Sequence, residues 1–438
     1  MNRRRRVHGS ADDAQQVPMS GATSIWAGRR GLVVGLICLG VVLNYADRQI
    51  IAVLKPMLQD QLGWSDGDYG QVTSAFQLAS AFAFLGAGWA VDRIGWRIAN
   101  PLAVGLWSLA AAAHAVARTV GQFTLARAAL GAAEAMGTPT AVKSVAALFP
   151  NSVRAMAYGF INAASNIGAV VTPLAIPFVA LKIGWANAFL LTGGLGLVWV
   201  VAWFGLRASL ARTAAPEPPT AAAAPVRAPL REVLSDRGTW AVAGARVLCD
   251  NIWWLLLYWM PDLFHRIFHL TMQEYGPPLA MIYAASAIGA VLAGIASNRL
   301  LAAGVSLGAT RKGLLLAGAV MVTPVWFAPW ASGYWIAAAI LGLTLAGHQF
   351  FSVNIFALAS DVAAPSRVAT VVAIAAFSGN IAGMAMLQLA GWTLGHGYGY
   401  APLLAWASGS YLLGVAWVQL LLPRVVAVRE PRANPAAD

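Results

Sequence analysis

Apolar residues in this chain gather into long runs separated by short polar stretches. A bilayer core about 30 Å thick is crossed by about 20 helical residues. Runs of that length lie at 31–54, 69–91, 98–117, 120–148, 154–179 and 185–205, and then at 239–264, 277–301, 312–330, 333–359, 368–393 and 400–422. The pattern predicts an all-α membrane protein with twelve transmembrane helices in two six-helix halves. Its expected divisions are a basic tail at 1–30, a first bundle at 31–205, a linker at 206–237, a second bundle at 238–422 and a tail at 423–438. The linker is rich in Pro and Ala, and Pro229 to Arg237 reads either as a short amphipathic helix on the membrane surface or as a merely solvated segment.

Composition supports lipid as the solvent. Of 438 residues, 59% are hydrophobic and 11% charged, against roughly 25% charged in soluble domains. The net charge of +12 does not indicate a nucleic-acid partner, because the basic residues sit in the short polar breaks. With both termini in the cytoplasm, Arg3–Arg6, Arg29, Arg30, Arg93, Arg97, Arg154, Arg299, Arg311, Lys312 and Arg367 all face inward, and only Lys55, Arg118, Lys182 and Arg266 face outward. That asymmetry orients the chain. Abundant Arg and Ala suggest a bacterial source, hence the inner membrane. Arg29-Arg30 before an apolar run superficially suggests an export signal, but the run has span length and no cleavage site, so a retained first helix is expected. Cys38 and Cys249 lie inside apolar runs and read as packing residues rather than a disulfide or metal site. There is no nucleophile elbow, metal-ligand spacing or phosphate loop, so neither enzyme nor cofactor is expected. The expected partners are lipid, a small solute and its coupling ion, with the chain as a monomer.

The loop after the second run reads Gly88-Trp89-Ala90-Val91-Asp92-Arg93-Ile94-Gly95-Trp96-Arg97. With the six-plus-six layout, it resembles the cytoplasmic signature of the major facilitator superfamily. The resemblance implies a gate formed by Gly88, Asp92, Arg93, Gly95 and Arg97. The corresponding loop of the second half keeps only Gly294, Asn298 and Arg299 before Arg311-Lys312. The chain also carries Asn44-Tyr45-Ala46-Asp47-Arg48-Gln49, Arg127 and Glu134, Trp259-Met260-Pro261, Gly347-His348-Gln349 and Ser378-Gly379-Asn380. Together and in this order they resemble the anion:cation symporters of that superfamily, and among them hexuronate and sugar-acid transporters. Span five lacks the Gly-Pro-rich pattern of drug/proton antiporters. Ser80 stands where sugar-acid members commonly place a tyrosine, which suggests a different or bulkier substrate.

Asp47, Arg48, Arg127 and Glu134 all lie inside predicted spans. Each costs about 2.5–3.5 kcal/mol at the bilayer centre, so such groups line a polar cavity or pair with one another. Glu134 follows Arg127 by seven residues and shares its helical face two turns deeper. With both carboxylates ionised the four charges cancel; with both protonated the arginines leave two positive charges for an organic anion. Anion and proton binding then favour each other. The expected function is proton-coupled symport of a small organic anion such as a hexuronate. Arg48 and Arg127 would hold the carboxylate, and Asp47 and Glu134 would carry protons; the plain alternative is a structural salt-bridge cluster. Tyr45, Asn166, His348, Gln349 and Asn380 complete the expected substrate site, where interhelical packing is the competing role for the amides and the histidine. Arg246 and Asp250 read as an intrahelical ion pair, and Trp253 and Trp254 chiefly as packing. The competing functions are an anion exchanger, a drug transporter of the same fold, and a ligand sensor that moves nothing.

Overall fold

The computed structural model describes residues 29–149, 151–213 and 229–425. Arg3–Arg6, the Pro/Ala-rich part of the linker and the basic end of the C-terminal tail lie outside the described residues. The first half comprises α1 (Arg29–Leu62), α2 (Asp66–Ile94), α3 (Trp96–Ala113), α4 (Val120–Glu134), α5 (Gly137–Leu148), α6 (Asn151–Ile183) and α7 (Trp185–Thr213). A one-and-a-half-turn helix, α8 (Leu230–Ser235), precedes the second half. That half comprises α9 (Arg237–Phe268), α10 (Gly276–Ala302), α11 (Leu307–Val322), a 3₁₀ segment (Thr323–Trp330), α12 (Tyr334–Val362), α13 (Pro365–Gly395) and α14 (Ala401–Leu421).

Among the described residues, ten helical segments are long and apolar enough to cross a membrane, and two further crossings complete the twelve. The fourth crossing is split into α4 and α5 at Ala135-Met136. Pro139 explains the split, since it has no N–H and its ring collides with the carbonyl of residue 135. The seventh crossing is α9, whose Arg246, Asp250, Asp262 and Arg266 dilute its apolar character. Large apolar side chains such as Leu125, Val198, Val201, Val291 and Leu420 stand outward, as lipid contact requires. Within residues 229–237 a short helix is present as α8, with Val233 buried beneath it and Glu232 paired to Arg367 of α13 at 2.5 Å.

The halves meet where α1 packs on α9, α2 on α13 and α6 on α10. Twelve crossings return the chain to the end where it starts, here called the terminal end. At the opposite, far end the halves touch backbone to backbone. A Cβ at Gly70 would lie 2.9 Å from the Leu387 carbonyl, and one at Gly276 would lie 2.6 Å from the Pro173 carbonyl. Beside these contacts four charges interlock across the interface. Lys55 Nζ lies 2.8 Å from Asp66 and 2.5 Å from Asp262, and Arg266 lies 2.5 Å from Asp66 and 2.8 Å from Asp262. Lys55 is fully buried and its ammonium lies 4.6 Å from the centre of the Trp259 ring. Tyr400 donates to Asp262, Tyr275 to the Val53 carbonyl, and Tyr69 to the Tyr258 carbonyl. The far end is therefore shut.

At the terminal end Gly95 joins α2 to α3 at φ 81°, a left-handed conformation that suits glycine. Asp92 pairs with Lys143 at 3.1 Å, and Lys143 also donates to the Val91 carbonyl at the end of α2. This tie lies within the first half. Arg93 and Arg97 lie against Trp89 and Trp96. In the second half the tie is Arg311 to Asp361, at 2.6 Å between α11 and α12.

Candidate functional site

Between the halves lies a cavity of about 710 Å³. The first half contributes Tyr45 and Arg48 from α1, Phe76, Ser80 and Gly88 from α2, and Asn162 and Asn166 from α6. From the second half come Arg246, Asp250, Trp253 and Trp254 of α9, Tyr283 and Ser286 of α10, His348, Gln349 and Ser352 of α12, and Asn380 of α13. Its walls run on to Gly88, Phe356 and Ala369, each within two turns of the terminal end of its helix. A side chamber of about 240 Å³ adjoins it behind Tyr45 and Arg48, and Glu134 lines that chamber.

Arg48 is the centre of the first-half wall. Its Nε donates to Glu134 Oε2 at 2.6 Å, with 17% of the arginine side chain exposed and none of the glutamate. The guanidinium carbon lies 5.3 Å from the Tyr45 ring centre and 5.5 Å from that of Phe76. Residues adjacent on a helix diverge by about 100°, so Asp47 points away from the cavity. It is buried, neither oxygen makes a well-formed hydrogen bond, and the Thr192 hydroxyl lies beside it.

The sequence placed Arg127 beside Arg48 on the anion. In the structure Arg127 is wholly buried behind α1, donating from Nη1 to the Asp47 carbonyl at 3.1 Å, with Nε and Nη2 unpartnered. Glu134 takes Arg48, not Arg127, as its ion partner. Arg127 and Asp47 thus do not line the cavity here, whereas Arg48, Tyr45, Asn166, His348, Gln349 and Asn380 all do.

The polar residues of the cavity are partly engaged. His348 shares a hydrogen bond of 2.7 Å with Tyr411 and stacks on Trp253 at 4.8 Å. Gln349 donates to Ser286 at 3.1 Å. Asn166 and Asn380 donate their amide N–H groups to carbonyls one turn back, those of Asn162 and Ala376, which leaves their side-chain oxygens as acceptors. The expected Arg246–Asp250 pair is present at 2.7 Å, but it and both tryptophans form cavity wall rather than packing alone. Hydropathy could not reveal this, because α9 carries polar groups on more than one side.

The geometry describes a membrane protein with a solute-sized chamber between two halves, and sequence comparison names the kind. The Major Facilitator Superfamily model matches residues 37–387. The chain belongs to the Major Facilitator Superfamily. It is similar to the hexuronate transporter of Escherichia coli K12, with 27% identity over 430 residues covering 93% of this chain and 98% of that one. It is also similar to the D-galactonate transporter of Escherichia coli O6:H1, with 27% identity over 415 residues covering 90% and 96%. In fold it matches a bacterial homologue of the human lysosomal transporter Spinster, inward-facing and occupied. That match has a TM-score of 0.67 at 19% identity and covers 90% of this chain and 95% of the other. This superfamily member is thus a multi-pass membrane transporter, not an enzyme.

Proposed function

We propose that the protein imports an organic anion of the sugar-acid class together with protons, across a bacterial inner membrane, by alternating access. The observation that carries this reading is the arginine presented to the cavity with its carboxylate hidden behind it: Arg48 in front, Glu134 at 2.6 Å. While Glu134 is ionised, Arg48 is already paired and an incoming carboxylate gains little. A proton on Glu134 releases the guanidinium for a planar, charge-assisted contact with the substrate carboxylate. Proton first, anion second is the order this geometry favours on the outer side, and the reverse on the inner side. Asn166, Asn380, His348 and Gln349 would take substrate hydroxyls, and Tyr45 would brace Arg48. Asp47 is a second carboxylate able to take a proton, with Arg127 fixing the turn of α1 that bears it. The likeness to hexuronate and galactonate transporters supports the substrate class.

The arrangement of positive loops supports termini in the cytoplasm, so the closed far end would be the outer one and the chamber would open inward. The deciding test is uptake into proteoliposomes of a panel of hexuronates and aldonates, with and without an inwardly directed proton gradient. Uptake of at least one sugar acid, stimulated by the gradient and abolished in Arg48→Ala, is expected. Gradient-independent exchange alone would replace symport by exchange, and ligand binding without movement would make the protein a sensor.

A further inference from the structure

Arg246 and Asp250 lie one turn apart on α9, and as an i,i+4 pair they would ordinarily count as helix stabilisation. Their setting is that of a binding site. The pair repeats the construction of Arg48 and Glu134 on the opposite wall. In each, the arginine reaches the cavity and its carboxylate is the less exposed partner, Glu134 in the side chamber and Asp250 on the cavity wall itself. Side-chain exposure is 17% for Arg48 and 0% for Glu134, and 14% for Arg246 and 6% for Asp250.

Neighbours aim Arg246 as well. Its Nη2 meets Asp250 at 2.7 Å, its Nη1 donates to Ser352 at 2.9 Å, and its guanidinium lies 4.6 Å from the centre of the Phe356 ring. Its Nε is buried without a partner, so the fork is held by Asp250 and Ser352 alone. Asp250 is seated against Gly379 of α13, where any Cβ would run into its Oδ2. The approach of α9 to α13 is thus shaped around this carboxylate.

We propose that Arg246 is a second anion-binding residue, and that the substrate is a hydroxylated diacid with one carboxylate on Arg48 and the other on Arg246. The inference rests on the reading of the cavity as a sugar-acid site and sharpens its substrate class. A monoacid occupies one arginine and leaves the other closed on its own carboxylate. A diacid engages both, and because they belong to different halves it links the two walls. A ligand shifts a conformational equilibrium only through contacts that differ between its states, and a bridge between halves is such a contact.

The test is counterflow in proteoliposomes with a six-carbon aldonate and the aldarate that differs from it only by the second carboxylate. Wild-type protein is expected to favour the aldarate. Arg246→Gln should lower the aldarate-to-aldonate ratio about tenfold, as expected for losing one charged hydrogen bond. Asp250→Asn is nearly isosteric and leaves Arg246 without its neutralising carboxylate, so it should raise the ratio; it decides the matter even where Arg246→Gln fails to insert. A wild-type preference for the aldonate, or an unchanged ratio in Asp250→Asn, overturns the proposal while leaving sugar-acid transport intact. Failure of the wild type to move either acid overturns the proposal, and failure on the hexuronates as well overturns sugar-acid transport.

Discussion

Glu134 and Asp47 are both buried carboxylates, yet their surroundings differ. Glu134 holds a cation that also faces the cavity, at 2.6 Å, whereas Asp47 holds none. A proton on Glu134 therefore changes what Arg48 offers to a solute, whereas a proton on Asp47 acts behind α1, beside Arg127 and Thr192. Glu134→Gln mimics the protonated state permanently. It should still exchange substrate across the membrane, because Arg48 stays free, but should lose accumulation driven by a pH gradient. Parallel measurement of exchange and pH-driven uptake in proteoliposomes checks this; gradient-driven accumulation equal to wild type would reduce Glu134 to a structural partner of Arg48. At this scale the sequence was informative about which residues matter and poor about which way they face. Arg48 and Glu134 were visible as charges in apolar runs. That Arg127 turns to the Asp47 carbonyl, and Arg246 to the chamber, depends on helix rotations fixed by neighbours far away in the chain.

Among the helices, the far-end closure of α1, α2, α9 and α13 has an economical construction. Lys55 and Asp66 belong to the first half, while Asp262 and Arg266 belong to the second. When the halves part, each keeps a neutral pair of its own, so no buried charge is orphaned, the event that makes breaking a buried ion pair cost about 3–5 kcal/mol. Asp262→Asn removes the negative charge shared by Lys55 and Arg266, and one of the two acceptor oxygens that serve Lys55, Arg266 and Tyr400, and should bias the far end open. A cysteine at Ser74, buried between α2 and α13, should then react with an impermeant maleimide added on the far-end side about tenfold faster, the effect of losing about 1.4 kcal/mol of closure. An unchanged rate would show that the backbone contacts at Gly70 and Gly276 hold the closure alone. The spans themselves were legible from run length, since the bilayer sets it. The split at Ala135-Met136 and the 3₁₀ turn at Thr323–Trp330 were not read, although Pro139, Pro324 and Pro329 mark them.

For the molecule as a whole, sidedness is the property on which direction of transport depends. Ser235, exposed on α8, and Gln273, exposed before α10, lie at opposite ends. Single cysteines there, with Cys38 and Cys249 replaced by alanine, should label from opposite sides of sealed cells, Gln273→Cys from outside. Equal labelling of both from outside would reverse or break the cytoplasmic assignment of the termini. The two-half plan was readable from the polar break at 206–237, but the shut far end and the chamber leading toward the terminal end were not, because no local pattern records which of two arrangements the halves adopt. The closure has one further consequence. Its four charges sum to zero, and so do the two contributed by each half, so opening and closing it carries no net charge through the membrane's electric field. One elementary charge crossing 100 mV is worth about 2.3 kcal/mol; this gate is spared that term, and voltage acts on it only weakly, through the orientation of paired dipoles.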